Sequence, residues 1–276
     1  MKGERDMLCE TKYIYDNNDK VFLTTYISDE RVPEGGRPAI LIIPGGAYTH
    51  CSARESEPVA KKFLAEGYNA FVLSYTLIPD IIGENGEFVP LIDTAHAVAH
   101  IRKNCGEYSI NPDRIAVIGF SAGGHLAALI GARWNDGALC EMCGEKSGDI
   151  KPNAVLLSYA LTVMREQEGL EDALDAAGEK GAELYDYLSA DLAVTEKMPP
   201  TFMWHAAEDD VVPVKQTLTM AQALSAAKVP FETHVFPVGG HGLSVCDADT
   251  VKESFASEYD SVWVRYALDW LKTVFA

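Results

Sequence analysis

Short apolar runs alternate with helical patterns along most of this chain, and the alternation limits what the chain can fold into. The runs contain few polar residues, which is typical of strands covered on both faces. Strands that alternate with helices predict an α/β fold, in which a mostly parallel sheet carries helices on both faces. The predicted strands are 39–43, 70–73, 115–118, 154–157, 201–204 and 231–236. The predicted helices are 54–66, 91–104, 122–133, 214–227 and a closing helix within 250–272.

Two antiparallel strands are predicted before this series begins. Residues 12–15 and 21–27 are apolar and flank the turn-forming run Asp16-Asn17-Asn18-Asp19, which predicts a hairpin. At 276 residues, the chain fits one domain over residues 1–276, since α/β folds often reach this length as a single unit. A charged segment at 162–197 interrupts the alternation and predicts a small helical insert. The insert is either a helix pair on the surface or a lid over a substrate.

The charge balance argues against nucleic acid and membrane surfaces as partners. Lys and Arg number 23 against 41 Asp and Glu, which is a formal net charge of −18, and both of those partners are anionic. The first residues are charged and no apolar segment follows them. We therefore expect no secretion signal or transit sequence, and a cytoplasmic location. The composition leaves a homo-oligomer open.

The six cysteines are dispersed along the chain, which favours free thiols over a disulfide framework. Cys140 and Cys143 form a C-x-x-C pair, but no second pair follows at the spacing of a zinc ribbon. We therefore interpret this pair as incidental or structural, and we expect no metal.

One motif carries recognisable chemistry: Gly119-Phe120-Ser121-Ala122-Gly123 has the form G-x-S-x-G. In that form, glycines permit a strained turn that lifts a serine hydroxyl above the edge of a sheet. The motif is short, so its surroundings decide its meaning. A predicted strand precedes it at 115–118 and a predicted helix follows at 122–133, as such a nucleophile elbow requires. Ser121 is therefore the candidate nucleophile.

A serine nucleophile needs a histidine as its base and a carboxylate that orients the histidine. After an elbow of this kind, the acid follows the serine in the chain and the histidine follows the acid. His234 falls inside a predicted strand, whereas His241 lies in a glycine-rich turn beyond that strand, and we favour His241. The acid is expected after the strand at 201–204, because loops at the carboxyl ends of parallel strands converge on ligands. Three carboxylates are candidates there: Glu208, Asp209 and Asp210.

Acyl transfer also needs N–H donors that stabilise the developing oxyanion. The amide of Ala122, the residue after the nucleophile, is one expected donor. A second is expected from the loop at 44–48, where paired glycines follow a predicted strand and let backbone amides approach a substrate. Gly46 and Ala47 are the candidates for this second donor.

Four stretches, at 44–48, 111–115, 119–127 and 199–202, together resemble the α/β-hydrolase superfamily. Within it, the chain is similar to a bacterial esterase group that includes acetyl-xylan and feruloyl esterase-like proteins and sugar-ester hydrolases. The resemblance implies an α/β-hydrolase fold with a sheet of about eight strands, hydrolysis of carboxylic esters and no cofactor. In the family element similar to 205–213, the acid stands four residues before the proline of a Val-Pro pair, which selects Asp209.

The chain departs from the His-Gly-Gly-Gly pattern of lipase-like neighbours, because Pro44 and Ala47 replace the first and last members. No large apolar cap precedes Gly45, which argues against long-chain lipids. Without a visible secretion signal, the expected substrates are short-acyl esters of small sugars or xylo-oligosaccharides.

Two alternative functions stay open. One is a prolyl-oligopeptidase-like peptidase, although 276 residues leave no room for its usual second domain; the other is a catalytically silent ligand-binding module on the same fold.

Overall fold

One sheet of eight strands organises the structure, a computed structural model that describes residues 8–28, 32–164, 179–247, 250 and 258–276. In chain order the strands are β1 (Leu8–Tyr15), β2 (Asn18–Ile27), β3 (Arg37–Ile43), β4 (Asn69–Ser74), β5 (Ile110–Phe120), β6 (Ala154–Ser158), β7 (Thr201–Ala206) and β8 (Phe231–Phe236). Their order across the sheet is β1-β2-β4-β3-β5-β6-β7-β8. The pairs β1–β2 and β2–β4 are antiparallel and the other pairs are parallel. The predicted mostly parallel sheet with an N-terminal hairpin is confirmed.

Helices connect the parallel strands. Within the described ranges they are α1 (Glu57–Ala65), α2 (Val89–Lys103), α3 (Ala122–Arg133), α4 (Gly137–Cys143), α5 (Ser147–Ile150), α6 (Glu179–Leu188), α7 (Ala190–Ala193), α8 (Lys215–Ala226) and α9 (Glu258–Val274), with a 3₁₀ turn at Ala53–Glu55. None of these helices combines the length and the apolar character that a membrane crossing needs. The same residues hold no group of three or more His, Cys, Asp or Glu side chains placed to bind a metal ion.

The core forms two layers, one on each face of the sheet. Successive side chains of a strand point to opposite faces, so Leu41 of β3 packs in one layer while Ile40 and Ile42 pack in the other. Side chains of α2, α3 and α8 complete the first layer, and those of α1 and α9 complete the second. Because both faces of the central strands are covered, runs such as 39–43 and 115–118 carry apolar side chains on both faces.

The helix predicted at 54–66 is present, but it begins later than predicted. The chain forms the 3₁₀ turn Ala53–Glu55 and then begins a separate helix, α1, at Glu57. Pro58 explains the break, because proline has no N–H to donate to the carbonyl of Arg54 and is tolerated only in the first turn of a helix. The turn that this break creates places Glu55 in the interior, where it is 2% exposed.

The helical insert predicted at 162–197 lies partly outside the described residues, which exclude 165–178. The described part contains α6 and α7. The end of α6 is fastened to α3, because the Arg133 side chain donates to the Tyr187 carbonyl at 2.9 Å and lies over the Tyr187 ring. A role of the insert as a lid stays a prediction. The closing helix predicted within 250–272 is observed as α9, and residues 251–257 lie outside the described ranges.

Candidate active site

Four loops meet at one edge of the sheet, each following the carboxyl end of a parallel strand. Pro44 follows β3, Ser121 follows β5, Asp209 follows β7 and His241 follows β8. Loops at this edge of a parallel sheet are where α/β proteins place their ligands. The fold therefore brings residues that are far apart in the sequence to one place.

Ser121 stands on a tight turn between β5 and α3, with a backbone φ of 52° and ψ of −119°. A positive φ is strained for a residue with a side chain, and such strain persists only where the surrounding structure holds it. The two glycines of the motif make the turn possible. A Cβ at Gly119 would lie 2.1 Å from the Gly123 carbonyl oxygen, and a Cβ at Gly123 would lie 2.0 Å from the Ile43 carbonyl oxygen.

The side chains of Ser121, His241 and Asp209 form a continuous hydrogen-bonded chain. His241 Nε2 lies 2.9 Å from Ser121 Oγ, and His241 Nδ1 lies 2.7 Å from Asp209 Oδ2. Because a carboxylate accepts only, Nδ1 carries the proton and Nε2 is free to accept from the serine hydroxyl. A nucleophile, a base within hydrogen-bond reach of it and a third group that orients the base are the components that nucleophilic catalysis needs.

The structure separates the alternatives for the acid and the base. Asp209 is buried and accepts from His241, while Glu208 and Asp210 are exposed. His234 lies in β8 as predicted, with its Nε2 paired to the carboxylate of Glu232. Of these candidates, the structure brings only Asp209 and His241 to Ser121.

Asp209 is held by more partners than the histidine alone. Its Oδ1 accepts from the amides of Val211 and Val212 at 3.0 and 2.9 Å. Burial opposes ionisation of this carboxyl group, but hydrogen bonds from His205 and His241 and the charge of His241 outweigh it and hold the pKa of Asp209 well below its usual value. Asp209 is therefore ionised whenever His241 acts as a base.

His205 is a partner of the acid that sequence reasoning missed. It is fully buried, and its Nε2 lies 2.8 Å from the Val212 carbonyl oxygen and 3.3 Å from Asp209 Oδ2. Since both neighbours of Nε2 are acceptors, Nε2 carries a proton, and Nδ1 lies 2.8 Å from the Thr217 hydroxyl oxygen. The available signal was a histidine inside an otherwise apolar buried strand, four residues before the acid.

The loop proposed to supply the oxyanion amides has positive φ at three consecutive residues. Gly46, Ala47 and Tyr48 have φ values of 130°, 51° and 59°. A Cβ at Gly46 would lie 2.0 Å from the His50 carbonyl oxygen, so this position accepts only glycine. Tyr75 donates from its hydroxyl to the Pro44 carbonyl at 2.8 Å, which fastens the start of the loop.

The amides of Gly46, Ala47 and Ala122 make no hydrogen bond within the described part of the chain. Ala122 is the first residue of α3, and the first amides of a helix have no partner inside it. The predicted role of the three amides, stabilising an oxyanion beside Ser121, stays a prediction.

His125, in the first turns of α3, ties the loop at 44–48 to the insert. It is fully buried; its Nε2 donates to the Leu188 carbonyl at 2.7 Å and its Nδ1 accepts from the Tyr48 hydroxyl at 2.8 Å. Burial lowers the pKa of His125 to about 4, so the ring is neutral near pH 7.

A family model described as BD-FAE matches residues 25–224 of the chain. The chain belongs to the BD-FAE family. The matched residues include Gly46, Ala47, Ser121 and Asp209, and they end before His241. The match therefore does not bear on His241, whose assignment in this BD-FAE chain rests on its hydrogen bonds to Ser121 and Asp209.

Three known proteins are similar to this BD-FAE chain. Endo-1,4-beta-xylanase B of Butyrivibrio fibrisolvens is 35% identical over 81% of the chain and 35% of its own length. An acetylxylan esterase of Xylanibacter ruminicola is 26% identical over 74% of the chain and 41% of its own length. The chain thus spans less than half the length of these two relatives. The solved structure of an acetyl ester-xyloside bifunctional hydrolase from Caldicellulosiruptor lactoaceticus is 32% identical, covers 96% of both chains and has a TM-score of 0.78. The predicted α/β-hydrolase fold is confirmed.

Proposed function

We propose that this chain is a carboxylic ester hydrolase in which Ser121 is the nucleophile, His241 the base and Asp209 the acid. The observation that carries the proposal is the hydrogen-bonded chain of these side chains, with 2.9 Å from serine to histidine and 2.7 Å from histidine to aspartate. Membership of the BD-FAE family and similarity to an acetylxylan esterase support ester bonds as the target.

The reaction proceeds in two halves through an acyl-enzyme. His241 removes the proton of Ser121 as Oγ attacks the ester carbonyl, and then gives that proton to the leaving alcohol. Water, activated by the same imidazole, releases the acid and restores Ser121. Asp209 stabilises the imidazolium, and the amides of Gly46, Ala47 and Ala122 stabilise the oxyanion in both halves.

The proposed substrates are short-acyl esters, with acetylated sugars and xylo-oligosaccharides as the first class to test. Support comes from the names of two similar proteins, an acetylxylan esterase and an acetyl ester-xyloside bifunctional hydrolase.

Hydrolysis of p-nitrophenyl acetate and labelling by a fluorophosphonate probe test the proposed activity. We expect the wild-type protein to show both, and Ser121→Ala to lose both while keeping its melting temperature. Ser147→Ala, which removes a hydroxyl on α5 outside the site, is the matched control and should behave as wild type. A wild-type protein that is not labelled would indicate a silent binding module, and one that prefers an aminoacyl p-nitroanilide would indicate a peptidase.

A substrate panel then tests the acyl and alcohol parts. Acetylated xylo-oligosaccharides are compared with butyryl and feruloyl esters, with Ser121→Ala as the blank. We expect the highest kcat/KM on acetyl esters. A higher kcat/KM on the feruloyl or butyryl esters would contradict the proposed substrate class.

A further inference from the structure

A buried carboxylate outside the Ser121–His241–Asp209 chain lies between the loops that carry the site. Glu55 is 2% exposed and forms no ion pair with any cation in the described part of the chain. Burying a carboxylate without a cation is unfavourable unless hydrogen bonds compensate it. Glu55 receives two such bonds, and each comes from a different side of the site.

The first bond reaches the loop at 44–48, called the oxyanion loop below. The Gly45 amide donates to Glu55 Oε2 at 2.8 Å, and Gly45 is followed directly by Gly46 and Ala47, both with positive φ. Gly45 also lies against the nucleophile, since a Cβ placed on it would be 3.0 Å from Ser121 Cβ and 2.9 Å from Glu55 Oε2. The carboxylate therefore contacts the backbone at the point where the oxyanion loop passes Ser121.

The second bond reaches, through a buried tyrosine, the loop after β8 that carries His241, called the histidine loop below. Tyr159 donates from its hydroxyl to Glu55 Oε1 at 2.7 Å, and the same hydroxyl oxygen accepts from the Ser244 amide at 2.9 Å. Ser244 lies three residues after His241 in the chain. The Tyr159 ring packs edge-to-face against the His241 imidazole, with ring centroids 5.0 Å apart.

Two further hydrogen bonds, each accepted by a backbone carbonyl, hold the 3₁₀ turn that carries Glu55. The Ser52 amide donates to the Gly45 carbonyl at 2.9 Å. On the other side, the Ser244 hydroxyl donates to the Arg54 carbonyl at 2.5 Å. The turn thus touches the oxyanion loop and the histidine loop through its backbone as well as through Glu55.

We propose that Glu55 is a positioning residue for the ester hydrolysis proposed above, on which this inference rests. One carboxylate sets the backbone of the oxyanion loop through Gly45 and, through Tyr159, the loop and ring of His241. Residues with positive φ keep that conformation only where their surroundings determine it, and Glu55 is part of those surroundings. Loss of its bonds shifts the oxyanion amides and the imidazole relative to Ser121 without removing any group that touches the substrate.

The test is Glu55→Gln, with Glu57→Gln as the matched control. Glutamine keeps the shape of the side chain but offers one oxygen, so an NH₂ group faces either the Gly45 amide or the Tyr159 hydroxyl. Glu57 stands two residues later, is 54% exposed and pairs with Lys61 on the surface of α1. Both variants are assayed on p-nitrophenyl acetate well below their melting temperatures.

For Glu55→Gln we expect kcat to fall by about 10–100-fold, because displacements of about 1 Å at a site cost that much, while KM changes less than about threefold. Glu57→Gln should keep both constants. Tyr159→Phe, which deletes the hydroxyl and keeps the ring, should also lower kcat. The double variant should lose less than the product of the two single losses, since the two groups share one hydrogen bond.

A folded Glu55→Gln protein with wild-type kcat, and a lower melting temperature as its sole change, would overturn the inference. If Glu55→Gln does not fold, Tyr159→Phe decides in the same way: wild-type kcat contradicts the proposal and a selective loss of kcat supports it. Failure of the proposed function looks different, because wild-type protein would then show no hydrolysis that depends on Ser121.

Discussion

Asp209 and Asp210 are adjacent carboxylates of the same chemistry, and their surroundings give them different roles. Asp209 is buried, where it accepts from His241 and from two backbone amides. Asp210 is exposed. The difference arises because the turn after β7 points one side chain towards the loop after β8 and leaves its neighbour in solvent.

Replacing Asp209 with Asn should lower kcat by about 10⁴-fold, by analogy with other serine triads. The Asn oxygen can still accept from the Val211 and Val212 amides, but its NH₂ group faces His241 Nδ1 and favours the wrong tautomer. Asp210→Asn is the control, and we expect its kcat on p-nitrophenyl acetate to stay within about threefold of wild type. A large loss in Asp210→Asn together with an active Asp209→Asn would contradict the assignment of the acid.

His125 gives the protein a pH-dependent stability. The folded protein holds this histidine neutral down to about pH 4, whereas the unfolded chain protonates it below about pH 6.5. Between those values the unfolded state binds the extra proton, so this contribution to stability is present above about pH 6.5 and is lost as the pH falls towards 4.

The expected size of that loss is about 3 kcal/mol in the free energy of unfolding, from about 2.5 pKa units at about 1.4 kcal/mol each. Urea unfolding at several pH values between 7 and 4, followed by tryptophan fluorescence, measures it. His125→Gln should be less stable at pH 7 and should depend less on pH over this range. Parallel curves for the two proteins would show that His125 does not titrate as described.

At the scale of elements, the elbow depends on how closely α3 approaches β3 and β5. A Cβ at Gly123 would lie 2.0 Å from the Ile43 carbonyl oxygen, and a Cβ at Gly119 would lie 2.1 Å from the Gly123 carbonyl oxygen. Both obstacles are backbone atoms that cannot rotate away. The site is therefore built on a packing contact between elements as much as on the serine itself.

Gly123→Ala should destabilise the protein by at least about 3 kcal/mol, because the helix must move away from the sheet. Gly137→Ala is the matched control. Gly137 is the first residue of α4 and has no neighbour within 4 Å of an added Cβ, so alanine should raise stability by up to about 1 kcal/mol. Urea unfolding measures both changes, and a Gly123→Ala protein as stable as wild type would contradict the close approach of α3.

At the scale of the whole molecule, two core layers on one sheet position the loops, and the net charge sets the field around them. The formal net charge is −18. A field of one sign repels solutes of the same sign, and salt screens it over a Debye length that falls from about 30 Å at 0.01 M to about 3 Å at 1 M.

The kcat/KM for an anionic ester, such as a p-nitrophenyl hemisuccinate, should therefore rise severalfold as salt increases from about 0.01 M to about 1 M. The neutral p-nitrophenyl acetate is the control, and its kcat/KM should stay nearly constant. Initial rates over a salt series measure both values. Equal salt dependence for the two esters would show that the net charge does not act at the site.

Much of this architecture was readable from local patterns. Buried strands appear as apolar runs, and the strand, G-x-S-x-G turn and helix around Ser121 lie within about twenty consecutive residues. The loop at 44–48 and His241 could be proposed from the sequence because each lies in a glycine-rich turn directly after a predicted strand. The start of the helix predicted at 54–66 was placed too early, because hydrophobic periodicity continues back across Pro58 while proline has no N–H with which to extend the helical hydrogen bonds.

By itself, the sequence determined the class of fold, the turn that carries Ser121 and the short set of groups that could serve it, because these depend on neighbours along the chain. The likeness of 205–213 to a family element already pointed to Asp209, but only the tertiary structure joined it to His241 and placed Glu55 against Tyr159, which lies 104 residues later. Such contacts form where loops from different strands converge, and a buried polar group takes whichever partner arrives there. Spacing along a single chain carries no record of that convergence.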